Sequence, residues 1–230
     1  MLRESRTGIT VVIGMFISLL VFMIGLDCYV CCEYIKEWNI KDAAYEYMYN
    51  FKYPTEEVPD GGEGCYVESL SRTELGFTLD VTIIGIDNDN KYFEAKPSKG
   101  QSNLVIGTSV AKKYNLKKGD KFVLSDIANE KEYAFKIEDI VDYSIGLTVF
   151  MDIDSMRELF NQDEDYYNVV LSDNALDVED GRLYSITTKQ DIEHSSQIFI
   201  NKMISLIIAF VYAASKTASA RKNNRTLPLK

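Results

Sequence analysis

Residues 8–26, GITVVIGMFISLLVFMIGL, form a run of nineteen without a formal charge. As a helix rising 1.5 Å per residue the run spans roughly 28 Å, close to the ~30 Å hydrocarbon layer of a bilayer. A helix in a soluble core is seldom apolar on every side. The run predicts a transmembrane helix over residues 8–27, and everything else in the chain has to be placed relative to a membrane. A cleaved signal sequence would have a shorter apolar region and a small-x-small site. Here the run is long and Asp27-Cys28-Tyr29 follows it, so an uncleaved anchor is expected.

Charge sets the direction. Residues 33–197 hold 33 Asp and Glu against 17 Lys and Arg, a net −16. The two ends are basic, with Arg3 and Arg6 at the front and Lys216, Arg221, Lys222, Arg225 and Lys230 at the back. Basic residues flanking a membrane helix favour the cytoplasmic side, so both ends are expected inside and the acidic middle outside the cell membrane. Such an acidic domain repels phosphate and excludes nucleic acid as a partner.

Four cysteines are present. Cys28, Cys31 and Cys32 cluster at the expected outer boundary of the membrane, and Cys65 is alone. Cys-x-x-Cys spacing can serve metal or redox chemistry, but no second pair and no clustered His accompany it, and packing is the expected role.

Beyond the membrane, residues 29–48 contain no Gly or Pro, and Tyr34, Trp38, Tyr45 and Met48 fall near helical spacing. A stalk continuing the first helix is expected, ended by Tyr53-Pro54. Residues 54–64 read as an acidic, Gly-rich loop, and Gly61-Gly62-Glu63-Gly64 reads as a turn because it lacks dinucleotide or Walker spacing. Phe77, Leu79, Val81 and Ile83 alternate with polar residues as one face of a strand, followed by the polar turn Asp87-Asn88-Asp89-Asn90. Residues 103–107 read as a short buried strand. Thr108 is expected to cap a helix carrying Val110, Ala111 and Tyr114, closed by Gly119 and Asp120. Strands are expected over 121–125, 133–141, 147–151, 167–171 and 183–187. A helix capped by Asp152 or Asp154, with Ser155 and Glu158 at capping-box spacing, places Ile153, Met156, Leu159 and Phe160 inward. A last helix from Thr187 to about Ser215 would be roughly 40 Å long, with an amphipathic outer part (Ile192, Ser196, Phe199) and an apolar inner part, residues 203–215, as a second membrane crossing. The fold class is α+β, a mixed α/β domain between two long helices. The expected division is 1–50 for the cytoplasmic start, membrane helix and stalk, 51–187 for the extracytoplasmic domain, 188–215 for the second stalk and membrane helix, and 216–230 for a basic cytoplasmic tail.

No catalytic, cofactor-binding or metal-ligating residue is expected. His194 is the sole histidine, and no Gly-x-Ser-x-Gly, Walker or His-Glu-x-x-His pattern occurs. The runs Asp163-Glu164-Asp165 and Glu179-Asp180 fit a solvated acidic surface. An enzyme is therefore not expected.

The stretch 104–125, LVIGTSVAKKYNLKKGDKFVLS, resembles the extracytoplasmic domain of FtsX/MacB-type ABC transporter permeases. YAFKIEDIVDY at 133–143, VFMD at 149–152 with Met156, Leu159 and Phe160, and YNVVL at 167–171 are similar to successive steps of that family's domain, and the helix–domain–helix plan matches as well. The resemblance covers most of residues 8–212 and points to a second-half repeat of a long FtsX-like permease. It implies an ABC ATPase partner, a second permease half or homodimer partner, the lipid bilayer, an extracytoplasmic protein or peptide, and no cofactor. It also implies that stalks at 29–48 and 188–202 carry motion to the external domain. Family members have at least two further membrane helices after this point, and residues 216–230 do not resemble that continuation, so a truncated product or fragment is expected. The alternative is a membrane-anchored extracellular sensor or ligand-binding module, although a tail of fifteen residues is short for a receptor's output domain.

Overall fold

The computed structural model describes residues 2–55 and 57–223. Four helices and nine strands follow one another as α1 (Leu2–Asp42), β1 (Tyr47–Thr55), β2 (Gly62–Glu74), β3 (Phe77–Ile86), β4 (Asn103–Gly107), α2 (Thr108–Tyr114), β5 (Lys121–Asp126), β6 (Lys131–Val141), β7 (Thr148–Asp152), α3 (Ile153–Phe160), β8 (Tyr167–Ser172), a 3₁₀ turn (Asp180–Arg182), β9 (Leu183–Thr188) and α4 (Lys189–Asn223). The fold class is α+β, as the alternation of periods implies. The chain divides into a helical unit, built from the residues up to Glu37 and from Glu193 onward, and a sheet unit, Trp38–Ile192.

In the helical unit α1 and α4 run antiparallel. The Lys36 ammonium donates to Gln197 Oε1 at 2.8 Å and lies 3.8 Å from the Glu193 carboxylate. Eleven residues back, Gly25 is buried so tightly that a Cβ there would stand 2.8 Å from Ile207 Cγ2. Among the described residues α1 is the helix long and apolar enough to cross a membrane, over Val12–Asp42. α4 runs past Ser215 to Asn223, into the residues read from sequence as a tail; Arg225 and Lys230 lie outside the described residues.

The sheet unit is organised by the 13-residue strand β2. Its first residues, Gly62–Cys65, pair with β8, which pairs with β1, which pairs with β9 at the outer edge. Its later residues, Tyr66–Glu74, pair with β3. From β3 the strands continue β7, β4, β6, β5, and β5 returns to β2 through the bridge Ser71–Ser125, closing a six-stranded barrel. The pairs β3–β7 and β4–β6 are parallel and the other barrel pairs antiparallel.

Two apolar layers follow from the sequence of the wall strands. Leu104 and Ile106 of β4, and Val149 and Met151 of β7, enter a core with Tyr66, Leu70, Ile83, Phe122, Leu124, Phe135 and Ile137. Val105 and Phe150, on the opposite face, enter a second cluster with Tyr45, Tyr92, Phe93, Ala95 and Tyr143. Strands buried on both faces read as continuous apolar runs, which is why residues 104–106 stand out in the sequence. Each fully buried aliphatic or aromatic side chain contributes about 1.5–3 kcal/mol. α2 adds Val110 and Ala111 to the first core, and α3 adds Ile153 and Met156.

Three sequence expectations are corrected. The first helix stops at Asp42 rather than near Met48, and residues 47–55 form β1, with Tyr49 and Phe51 buried. Aromatics at every second position favour a pleated strand, and they outweigh the approximate helical spacing of Tyr45 and Met48. The Gly-rich loop is shorter than expected. Gly61 is in a turn (φ +84°), but Gly62 and Gly64 lie within β2, where a Cβ would meet the Val170 and Tyr167 side chains at 2.5 and 2.4 Å. Thr108 does not cap α2: Gly107 holds the N-cap position, and the Thr108 hydroxyl bonds residues 142–143 instead. At α3 the choice between two aspartates resolves to Asp152, whose carboxylate accepts from Ser155 N at 3.0 Å and from Ser155 Oγ at 2.7 Å, so Ser155 is not itself the cap.

The β2–β3 hairpin outruns the barrel. Residues 73–80 are all exposed, although Val81 and Ile83 on the same face as Phe77 and Leu79 are in the core. The hairpin turns through Leu75 and Gly76, both with positive φ (50° and 82°).

Burial pushes the Tyr143 and Tyr45 hydroxyls above the ordinary tyrosine value of 10.0, with Tyr45 and Asp42 adding to it at Tyr143 and Cys65 at Tyr45. Below pH 10 folded and unfolded chains hold these protons alike. Above it the unfolded chain releases them first, so the stability is lost as pH rises past 10. Alkaline unfolding followed by circular dichroism should therefore coincide with the late fraction of tyrosinate absorbance. Ionisation of every tyrosine before any unfolding would contradict the burial.

Candidate functional site at the end of α1

The chain leaves α1 and enters the sheet within four residues. Ala43 N still donates to Asn39 O, Ala44 N donates to Asp42 O, and Glu46 N donates to Ser172 O of β8. No glycine or proline interrupts residues 38–52. The joint is fixed by Asp42, which is 9% exposed. Its Oδ2 accepts from both Ser144 N and Ser144 Oγ, each at 2.6 Å. Charge-assisted bonds of this length are about twice as strong as neutral ones. The neighbouring ion pair Lys41–Asp142, 4.0 Å and well exposed, adds little by comparison. Lys41 instead places its ammonium over the Trp38 ring, 4.5 Å from the centroid.

The loop that receives Asp42 is held from its other side. Thr108 Oγ1 both donates to Tyr143 O and accepts from Tyr143 N, at 3.2 Å each. Ser109 Oγ donates to Gly146 O at 2.6 Å. Gly107 sits so close that a Cβ there would be 2.7 Å from Tyr143 O and 3.0 Å from Thr148 O. Beneath the loop the aromatic rings interlock: Tyr143 meets Phe150 edge-on at 5.2 Å, Phe93 meets Phe150 at 5.1 Å and Tyr143 at 5.9 Å, and Tyr45 meets Tyr92 at 6.4 Å. A cleft of about 120 Å³ between Asp42, Ala44, Tyr92, Phe93 and Tyr143 is smaller than the sites that usually hold metabolites.

The second joint lies on the neighbouring strand. β1 and β9 pair directly, with Tyr47 opposite Thr188, and Lys189 N donates to Glu46 O at 3.0 Å. Thr188 N donates to Asp191 Oδ2 at 2.8 Å while Asp191 N donates to Thr188 Oγ1 at 3.1 Å. This reciprocal cap is the helix start that Thr187-Thr188 suggests in sequence. Within the sheet unit, the last residues of α1 and the first residues of α4 are therefore hydrogen-bonded to neighbouring parts of the sheet.

The residues singled out in sequence fall elsewhere. Cys28, Cys31 and Cys32 lie along α1, Cys65 is 1% exposed on β2, and His194 is on α4. Burial, with Glu63 and Asp87 nearby, pushes the Cys65 thiol up and leaves it unreactive. Among the described residues no group of three or more His, Cys, Asp or Glu is arranged to hold a metal. Ser144, Tyr92 and Phe93 were not singled out; the local signal they offered was an aromatic pair just after a polar turn.

No protein-family model matches the chain, and no curated protein matches it. Solved structures similar to it include the extracellular domain of the noncanonic ABC-type transporter YknZ from Gram-positive bacteria, at 13% identity and a TM-score of 0.35, covering 58% of this chain and 85% of that one. The periplasmic region of MacB from Actinobacillus actinomycetemcomitans is similar at 11% identity and a TM-score of 0.38, covering 69% and 96% respectively. Scores this low describe a likeness of shape and fix no family.

Proposed function

We propose that the chain is a membrane-bound permease element of an ABC transporter of the FtsX/MacB type. On this reading α1 and α4 cross the cell membrane and the sheet unit is extracytoplasmic. A partner ATPase hydrolyses ATP, and movement of the helices is passed to the sheet unit. The observation that supports the mechanical part is the bonding of Asp42 to Ser144 and the reciprocal cap of Thr188 and Asp191, where the sheet unit takes up the end of α1 and the start of α4. A displacement of α1 acts through the Asp42–Ser144 bonds on the loop at 142–146, and a displacement of α4 acts through its capped first turn on β9. The sequence resemblance over residues 104–171 and the helix–sheet–helix order support the assignment to this type of transporter.

Affinity purification in detergent from the native cells tests the partner. An ABC ATPase subunit is expected in near-stoichiometric amount, either with this chain or with a version extended by further membrane helices. If neither form retains an ATPase, the transporter reading fails.

A further inference from the structure

The cleft at the end of α1 has polar atoms left without partners. Its volume is about 120 Å³. A cavity of roughly 150 Å³ holds benzene, so this one takes about five non-hydrogen atoms. Phe93, Tyr143 and Phe150 pack together as an aromatic wall, and Tyr92 adds a fourth ring. Two polar side chains of the lining are nearly buried and incompletely bonded. Asp42, 9% exposed, bonds Ser144 through Oδ2 alone, and among the described residues nothing donates to its Oδ1. Tyr143 is 7% exposed, and its hydroxyl has no hydrogen-bond partner among the described residues. The hydroxyl is near enough to Asp42 for the carboxylate charge to help hold its proton. Polar atoms at this depth are costly until something bonds them.

The charges around the cleft favour a cation. Asp42, Glu94 and Asp142 line it, with Lys41 as the lining base. Lys41 is engaged by Asp142 at 4.0 Å and by the Trp38 ring. Farther out, Lys91 stands over the Tyr92 ring and pairs with Asp173 at 3.0 Å, while Glu63 accepts from its backbone N–H. Lys96 bonds Asn88 O. With all three lysines set against these carboxylates the surroundings remain negative, and among the described residues neither Asp42 nor Glu94 is in an ion pair. α1 ends here, and the negative end of its dipole adds to the field. An anion would meet the three lining carboxylates. A neutral apolar guest would leave Asp42 Oδ1 and the Tyr143 hydroxyl unbonded. A bare metal ion needs several oxygen ligands, and among the described residues no group of three or more His, Cys, Asp or Glu is arranged to supply them.

We infer that the cleft binds a primary ammonium group on a short alkyl chain, with its N–H groups donating to Asp42 Oδ1 and the Tyr143 hydroxyl and its chain against Phe93 and Phe150. Charge-assisted hydrogen bonding and attraction to the aromatic faces then act on the same nitrogen. Two sources carry this chemistry: a free alkylamine, and the end of a lysine side chain on a peptide or protein. Asp42 also holds the loop at 142–146 through Ser144, so an occupant bound to the folded cleft stabilises that joint by mass action. The inference needs only the sheet unit and does not rest on the permease reading.

The test is a ligand-observed NMR titration of the full chain in detergent with butylammonium chloride, with thermal melting in parallel. The expected result is saturable binding with a Kd of about a millimolar, and a rise in melting temperature as the amine is added. Sodium chloride and 1-butanol at the same concentrations should give neither. Asp42→Asn keeps an acceptor for Ser144 and should weaken butylammonium binding at least about tenfold. Tyr143→Phe separates binding from folding. It removes a hydroxyl that bonds nothing in the fold, so it should not lower the melting temperature of the empty chain, yet should weaken binding about threefold. Nα-acetyl-lysine methylamide distinguishes the sources: binding at least as tight as that of butylammonium assigns the cleft to a lysine side chain, and weaker binding assigns it to a free amine. No saturable binding, an equal response to 1-butanol or to sodium chloride, or binding that both substitutions leave unchanged would overturn the inference.

Discussion

Replacing Asp42 with alanine is expected to destabilise the sheet unit by about 3 kcal/mol and to loosen its attachment to α1. The carboxylate accepts two short bonds from Ser144, and its loss leaves a partly buried backbone N–H without an acceptor, a larger penalty than the loss of an ordinary hydrogen bond. For a unit of this size the change corresponds to a fall in melting temperature of roughly 6–12 °C. Ser144→Ala removes only the hydroxyl donor and should cost about 1 kcal/mol. Hydrogen exchange localises the effect: amides at 43–46 and 143–146 should gain the most, with the barrel strands little changed. Equal melting of Asp42→Ala and the parent chain would mean that the joint is held by the aromatic cluster alone.

Gly107→Ala is expected to cost about 3 kcal/mol, at the upper end of what overpacking usually costs. Two features make relief difficult. The atoms in the way are the backbone carbonyls of Tyr143 and Thr148, not movable side-chain ends, and the 142–146 loop is already pinned by Thr108, Ser109 and Asp42. Gly107 has ordinary extended torsions (φ −70°, ψ 154°), so the cost comes from close approach and not from backbone strain. Thermal melting of Gly107→Ala beside Gly119→Ala separates the two causes. The second site has φ +92° and open space, and its cost should be the smaller, about 1 kcal/mol. The reverse order would show that the loop can yield.

Much of the barrel was legible because its signals are local. The apolar run 104–106 marked β4, and the aspartates at 152 and 154 marked the start of α3, though not which of them caps it. The charge-free run 8–26 marked α1. What could not be read depended on partners distant in sequence. β2 has weak alternation, and its glycines are explained by Val170 and Tyr167 some 100 residues away. The end of α1 is marked by Asp42 accepting from Ser144 N and Oγ, which no spacing reveals. Phe77 and Leu79 look like core positions by periodicity. They are exposed because β2 and β3 are longer than the barrel that receives them, and strand length relative to neighbours is a property of the assembled sheet. The joint at Asp42 was missed because its chemistry is ordinary and its meaning is positional.

The central claim is that the sheet unit is held outside the cell between two membrane-crossing helices. Labelling with a membrane-impermeant maleimide tests it directly, using Asn88→Cys and Asn223→Cys separately in a chain whose four native cysteines are replaced by serine. Asn88 is exposed in the turn after β3. In intact cells the account predicts labelling at position 88 and, at position 223, labelling only after the membrane is opened. Equal labelling of both positions in intact cells would contradict it.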